Sequence, residues 1–149
     1  MRVEFRNLRI QQLERALEPF VVAKNSPRPQ GGWIRAIRQA TGVTVRGLAK
    51  RLRKAPSVAA KLEISEAEYR ITLGSLREAA DALGCVLVYA LVPKNDNIQE
   101  LAEQPARAKA SENVRAVEHS MALEGQAAGG VEEKIEQETK RILKRRSIP

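Results

Sequence analysis

Two groups of residues in this 149-residue chain have types and spacings that can do chemistry. The first is a run of cations: Arg46, Lys50, Arg51, Arg53 and Lys54, with Lys61 just beyond. Ammonium and guanidinium groups at this density neutralise phosphates, which gives salt-dependent affinity for a polyanion without sequence information. The second is Ser120, Glu124 and Gly125. Ser120 and Glu124 are four apart, so on a helix they share a face. Val114, Val117 and Met121 recur beside them at spacings of three and four. A partner that buries this apolar stripe meets a hydroxyl and a carboxylate together. The simpler reading is a helix end with a solvated glutamate and a C-capping glycine.

Catalytic groupings are missing. His119 is the only histidine, and it adjoins Ser120. Adjacent helical positions point apart, so the two do not form a nucleophile–base pair. The single cysteine, Cys85, lies among aliphatic residues and reads as a small buried hydrophobe. No metal site, cofactor or phosphate-cradling glycine loop is expected, and the chain does not read as an enzyme.

Charge separates along the chain. Residues 1–60 carry 13 Lys and Arg against 3 Asp and Glu, a net +10. Residues 61–139 carry 8 against 15, a net −7, and residues 140–149 carry 5 against none. The basic end, Lys140 to Arg146, complements a helix C-terminus and can add contacts to DNA or a partner. The first block is the electrostatic footprint of a nucleic-acid binder. Nothing is apolar for long enough to span a bilayer, and the N-terminus does not read as a signal peptide, so a cytoplasmic protein is expected.

The elements that must position these groups follow from periodicity. Residues 7–18 read as an amphipathic helix with Leu8, Ile10, Leu13 and Leu17 on its apolar face. Asn25 to Gly32 is a Pro/Gly linker, whose Arg28 and Lys24 are available to phosphates or to solvent. Four helical patterns follow, with stripes Ile34/Ile37/Ala40, Leu48/Ala49/Leu52, Val58/Leu62 and Leu73/Leu76/Ala80/Leu83. Thr44 and Thr72 stand where N-caps belong, Pro56 opens the third helix and Gly84 closes the fourth. Glu66 to Leu73 reads as a surface loop running into Thr72. Val86 to Leu91 reads as a strand. Beyond Pro93 come three helix-like stretches, 98–110, 111–126 and 131–146, with Pro105 expected to end or kink the first.

Trp33-Ile-Arg-Ala-Ile-Arg, Thr44, Leu48-Ala49, Leu52, Leu62-Glu63 and Leu76-Arg-Glu-Ala-Ala-Asp-Ala-Leu-Gly84 resemble the Xre/Cro/lambda-repressor-like helix-turn-helix family. With Cys85-Val-Leu-Val-Tyr-Ala-Leu-Val-Pro93 added, the chain looks like the family called mobile mystery protein A, whose members are encoded beside a Fic-domain protein. The likeness runs from about Leu8 to the basic C-terminus. It implies a mostly α protein: a lambda-repressor-like helix-turn-helix domain, one short β-strand and a C-terminal helical extension. DNA contacts then fall to Thr44, Arg46, Lys50, Arg53, Lys54, Ser57, Ala59 and Lys61, with Ala60 also on the reading helix. The chain departs from that family at Val45, where a polar reader is usual, and at Arg53, where glycine is usual. Its third helix also carries small apolar residues in place of longer amides.

The stretch Ser120-Met-Ala-Leu-Glu124-Gly125 resembles the inhibitory motif of Fic proteins and their antitoxins. In that family the glutamate pairs with an arginine that would otherwise hold the γ-phosphate of ATP. Carried over, Glu124 is the arginine clamp, Ser120 its supporting hydrogen-bond donor, and Gly125 permits close backbone approach. The expected layout is residues 1–30 as N-terminal helix and linker, 31–93 as DNA-binding domain with a dimerising strand, and 94–149 as the Fic-binding region. A lone strand needs a partner, either Val86–Leu91 of a second copy in an antiparallel ribbon or the chain's own N-terminal segment. The expected function is a DNA-binding antitoxin that represses its own operon and obstructs ATP binding by a Fic toxin. The alternative is a plain Xre-type regulator whose C-terminal helices serve dimerisation or an unrelated partner.

Overall fold

The computed structural model describes residues 2–123 and 130–146. Seven helices follow in order: α1 (Arg2–Val21), α2 (Trp33–Ala40), α3 (Val45–Leu52), α4 (Pro56–Ala67), α5 (Leu73–Ala82), α6 (Ile98–Leu123) and α7 (Val131–Arg146). The protein is mostly α, and no strand occurs among the described residues. No helix there is long and apolar enough to cross a membrane.

Contacts divide the chain into two compact units, one of residues 25–90 and one of residues 1–24 with 91–149. The N-terminal helix therefore groups with the C-terminal helices rather than standing as a separate leader. In the 25–90 unit, Ile34, Leu48, Ala49, Ala59 and Ala79 are sealed in one core. Val43, Val45, Leu52, Ile71, Leu76, Ala82 and Leu83 pack around them. The buried alanines let short helices approach closely, and Leu48 is the one large side chain fully enclosed.

All four helices of this unit end the same way. The residue at the turn takes the left-handed conformation, and the next amide reaches back five residues. Gly42 (φ 71°) precedes Val43 N–H donating to Arg38 O at 2.9 Å, and Gly84 (φ 75°) precedes Cys85 N–H donating to Ala80 O at 2.8 Å. The other two positions are not glycine. Arg53 (φ 55°) precedes Lys54 N–H donating to Ala49 O at 3.0 Å, and Tyr69 (φ 58°) precedes Arg70 N–H donating to Ser65 O at 2.8 Å. Both β-carbon-bearing residues accept a strained backbone to close their helix.

Helix starts differ. Thr44 and Thr72 cap α3 and α5, accepting from Gly47 N at 3.0 Å and Ser75 N at 3.1 Å. Pro56 takes the first turn of α4, where its missing N–H costs nothing. α2 has only Gly32 before it, with no side chain to accept its first amides. Glu66 supplies the acceptor from 33 residues away: its carboxylate takes Trp33 N–H at 2.7 Å and Ile34 N–H at 2.9 Å. Glu66 is 4% exposed and belongs to the last turn of α4. The loop expected from Glu66 onward begins instead at Glu68, because the helix runs two residues further to bring this carboxylate inward. A β-carbon on Gly32 would meet Glu66 Oε2 at 2.7 Å, and φ there is +91°, so glycine is required twice over.

Val86–Leu91 forms no strand, contrary to the pattern of its side chains. No backbone hydrogen bond among the described residues involves positions 86–92, since no second extended segment lies beside them. A strand is defined by its neighbour, and the chain offers none.

In the other unit, α6 and α7 form an antiparallel hairpin. Glu118 pairs with Lys134 near the start of α7, while the earlier Asn113 donates to the later Glu138 at 3.4 Å. Ala110, Val114 and Ile135 make its core, joined by Ile142. The two stretches expected at 98–110 and 111–126 are one helix as far as Leu123, the last described residue before Gly130. Pro105, the eighth residue of this helix, is exposed, as is Leu101, whose carbonyl loses its donor there, and the helix continues past it. Asn97 starts this helix by accepting Glu100 N–H at 3.1 Å. α1 extends beyond the expected 7–18 and buries Ile10 and Leu17, while Leu8 and Leu13 stay exposed. It meets α6 through Gln99 N–H donating to Glu14, and Lys24 after it bonds Asp96 and Lys94 O, each at 2.6 Å.

Candidate nucleic-acid interface

The cationic run of the sequence is carried by α3, the turn after it and the outer face of α4. Arg46, Lys50, Arg53 and Lys61 are exposed and have no ion pair or side-chain hydrogen bond among the described residues. Arg51 donates to Ala82 O at 3.1 Å, completing the C-terminus of α5, and Lys54 pairs with Glu78 at 3.2 Å. These two are tied to the fold, though exposed enough to exchange partners. Thr44 spends its hydroxyl on the α3 cap.

The outer face of α4 presents Ser57, Val58 and Lys61 to solvent. Ala59 is not on that face. It is 0% exposed, packed with Leu48 and Ile34, and cannot reach a nucleic-acid base. Its neighbour Ala60 is half-buried. Val45 likewise packs on the core, which explains an apolar residue where a polar reader is usual.

A buried ion pair fixes α4. Glu63 receives Arg38 Nε and Nη2, the latter at 3.2 Å, and Arg38 Nη1 also donates to Val43 O at 3.1 Å. The hydrogen bond to Glu63 holds the Arg38 guanidinium above its ordinary pKa, with burial opposing it, so the guanidinium stays charged. Arg28, available in the sequence for phosphate contact, is already engaged. It donates to Glu66 O at 2.8 Å and Ala67 O at 2.6 Å, and its guanidinium lies 3.7 Å from the Tyr69 ring centroid. Arg28 therefore stabilises the strained helix end at Tyr69. Lys24 is similarly occupied, by Asp96.

These latches were the functional geometry least visible in sequence. One signal pointed to them: α2 begins without a Ser, Thr, Asp or Asn, so its amides needed an acceptor from elsewhere.

The second candidate surface lies on α6. Ser120 is exposed, and its hydroxyl donates back to Ala116 O at 3.2 Å. The apolar stripe beside it divides: Val114 is buried in the hairpin, whereas Val117 is exposed. Val117 and Met121 line an open groove of about 550 Å³ with Lys134 and Arg141. Glu124 and Gly125 lie outside the described residues. No family model, curated protein or solved structure matches the chain.

Proposed function

We propose that this protein is a DNA-binding antitoxin of the mobile mystery protein A family, which represses its own operon and inhibits a Fic-domain nucleotidyltransferase. In this reading α3, its turn and α4 are a helix-turn-helix of the Xre/Cro type, with α4 entering the major groove. The carrying observation is that Arg46, Lys50 and Arg53 recur at i, i+4 and i+7 along α3 and its turn, and Lys61 lies on α4, all exposed and with no partner among the described residues. Four unneutralised cations on the helix-turn-helix complement a phosphate backbone. Ser57, Val58 and Lys61 are the side chains left to face the bases, Val58 suiting thymine methyls. Arg51 and Lys54 add phosphate contacts from their positions at the rim.

The antitoxin half rests on the sequence motif and on what surrounds Ser120. A partner helix laid along the groove beside Val117 and Met121 would meet Ser120 on the same helix. Glu124 then pairs with the Fic arginine and displaces the γ-phosphate of ATP. The protein itself performs no catalysis, works in the cytoplasm at the nucleoid, and acts as a homodimer through Val86–Leu91 on a two-fold operator.

Two experiments test the two halves separately. Binding of the full chain to DNA should weaken steeply with salt, and Arg46→Ala or Lys50→Ala should each lower the log–log slope by about 1. A flat salt response sinks the DNA reading. Co-expression with the Fic partner should be harmless with the natural chain and toxic with Glu124→Ala. If Glu124→Ala still silences the partner, the arginine clamp is wrong; if the natural chain fails to silence it, the plain regulator takes the antitoxin's place.

A further inference from the structure

An apolar groove of about 320 Å³ opens on the 25–90 unit, lined on its helical side by Trp33, Ile34, Ile37, Leu76 and Leu83. Its other wall is the segment after α5, which lies in no helix or strand, through Val86, Leu87 and Val88. Trp33 is 53% exposed, Val86 84% and Val88 67%, and Tyr89 beside them is also exposed. Three features meet at this place. Large apolar side chains are in water. The backbone of 86–90 has no hydrogen-bonding partner among the described residues. And no charged residue occurs from Gly84 to Val92, in a chain whose net charge is +8.

We infer that this groove and the Val86–Tyr89 segment together form a self-docking face, covered by the same face of a second copy. Each feature points to that occupant. The unpaired amides and carbonyls of this segment are free to pair with another backbone, and a two-fold axis supplies an identical one running antiparallel. The uncharged stretch from Gly84 to Val92 lets two copies of a chain of net charge +8 meet without bringing like charges together. Pairing the segments also brings the side chains of one copy over the groove of the other, which takes Trp33 and Leu76 out of water. The inference deepens the homodimer element of the proposed function, and rests on neither its DNA nor its toxin element. The sequence supplied the ribbon; the groove wall from α2 and α5 is what the structure adds.

Trp33 is the only tryptophan, so its emission reports on the groove directly. The test uses the full chain without DNA or partner, followed by sedimentation velocity and tryptophan emission across a dilution series reaching about 100 µM. The expected result is a dimer whose Trp33 emission shifts to the red as it dissociates. Val88→Asp should raise the dissociation constant at least tenfold, while Val22→Asp, an exposed apolar position just after α1, should leave it unchanged. Both sites are exposed, so folding should survive. Should Val88→Asp lose helical circular dichroism, Val86→Lys, two residues away and also lining the groove, reads the same face. A monomer at every concentration overturns both this inference and the homodimer. A dimer that ignores these variants, or leaves Trp33 emission constant, overturns the groove alone and places self-association elsewhere.

Discussion

The 25–90 unit and the α6–α7 hairpin are both built of helices, yet they keep their order by different means. The first encloses its polar groups as well as its apolar ones. Glu66 caps α2, Glu63 holds Arg38, Arg28 holds the end of α4, and Leu48 is sealed beneath them. The hairpin has a thin seam of Ala110, Val114 and Ile135, with ion pairs at its edge and Val117 and Leu123 in water. A unit that satisfies its own interior can present a rigid surface. A two-helix layer with apolar groups left outside is suited to being completed by something else.

The largest effect should come from the core. Leu48→Ala should cost roughly 3–5 kcal/mol, because a fully enclosed cavity cannot collapse. Ile135→Ala, in the thinner seam, should cost about 2 kcal/mol, at the low end of such truncations. Urea unfolding of each variant measures both, and equal costs would break the comparison. Next comes charge. Arg38→Met strands Glu63 and should cost about 3 kcal/mol, with much of it recovered when Glu63→Leu is added. Lys134→Met breaks a pair at the hairpin's edge and should cost no more than about 1 kcal/mol. A double-mutant cycle on each pair sharpens the contrast, and a larger coupling at Lys134–Glu118 would reverse it.

The smallest effect should be a gain. Arg53→Gly relieves a left-handed residue that carries a β-carbon and should stabilise the 25–90 unit by about 1 kcal/mol. The same change should flatten the salt dependence of DNA binding by about 1 in log–log slope. Higher stability with weaker DNA binding would mark Arg53 as a residue kept for its charge at the expense of its backbone. Unchanged binding would leave the strain at Arg53 unexplained by DNA contact.

Much of the helical skeleton was legible. Thr44 and Thr72 are local signals, since a hydroxyl that caps a helix needs only the next three residues. Pro56 and Gly84 act through their own backbone. Ala59 was not legible. Alanines at 59 and 60 are the same residue type in adjacent positions, and only the packing of Leu48 and Ile34 decides which turns inward. Pro105 misled because its cost is one lost backbone hydrogen bond and a local clash, which the rest of a 26-residue helix outweighs. Val86–Leu91 has the side chains of a strand, but alternation cannot supply the backbone that a strand needs beside it.

Composition, periodicity and short-range caps sufficed to set a mostly helical chain with its positive charge gathered before residue 61, because each depends on residues within a turn or two of one another. The closing contacts came only from tertiary structure: Glu66 on α2, Arg38 on Glu63, and α1 grouped with the C-terminal helices. They join residues tens of positions apart, and pairings at that range are chosen by which faces can bury one another, a property of the assembled helices rather than of any one of them.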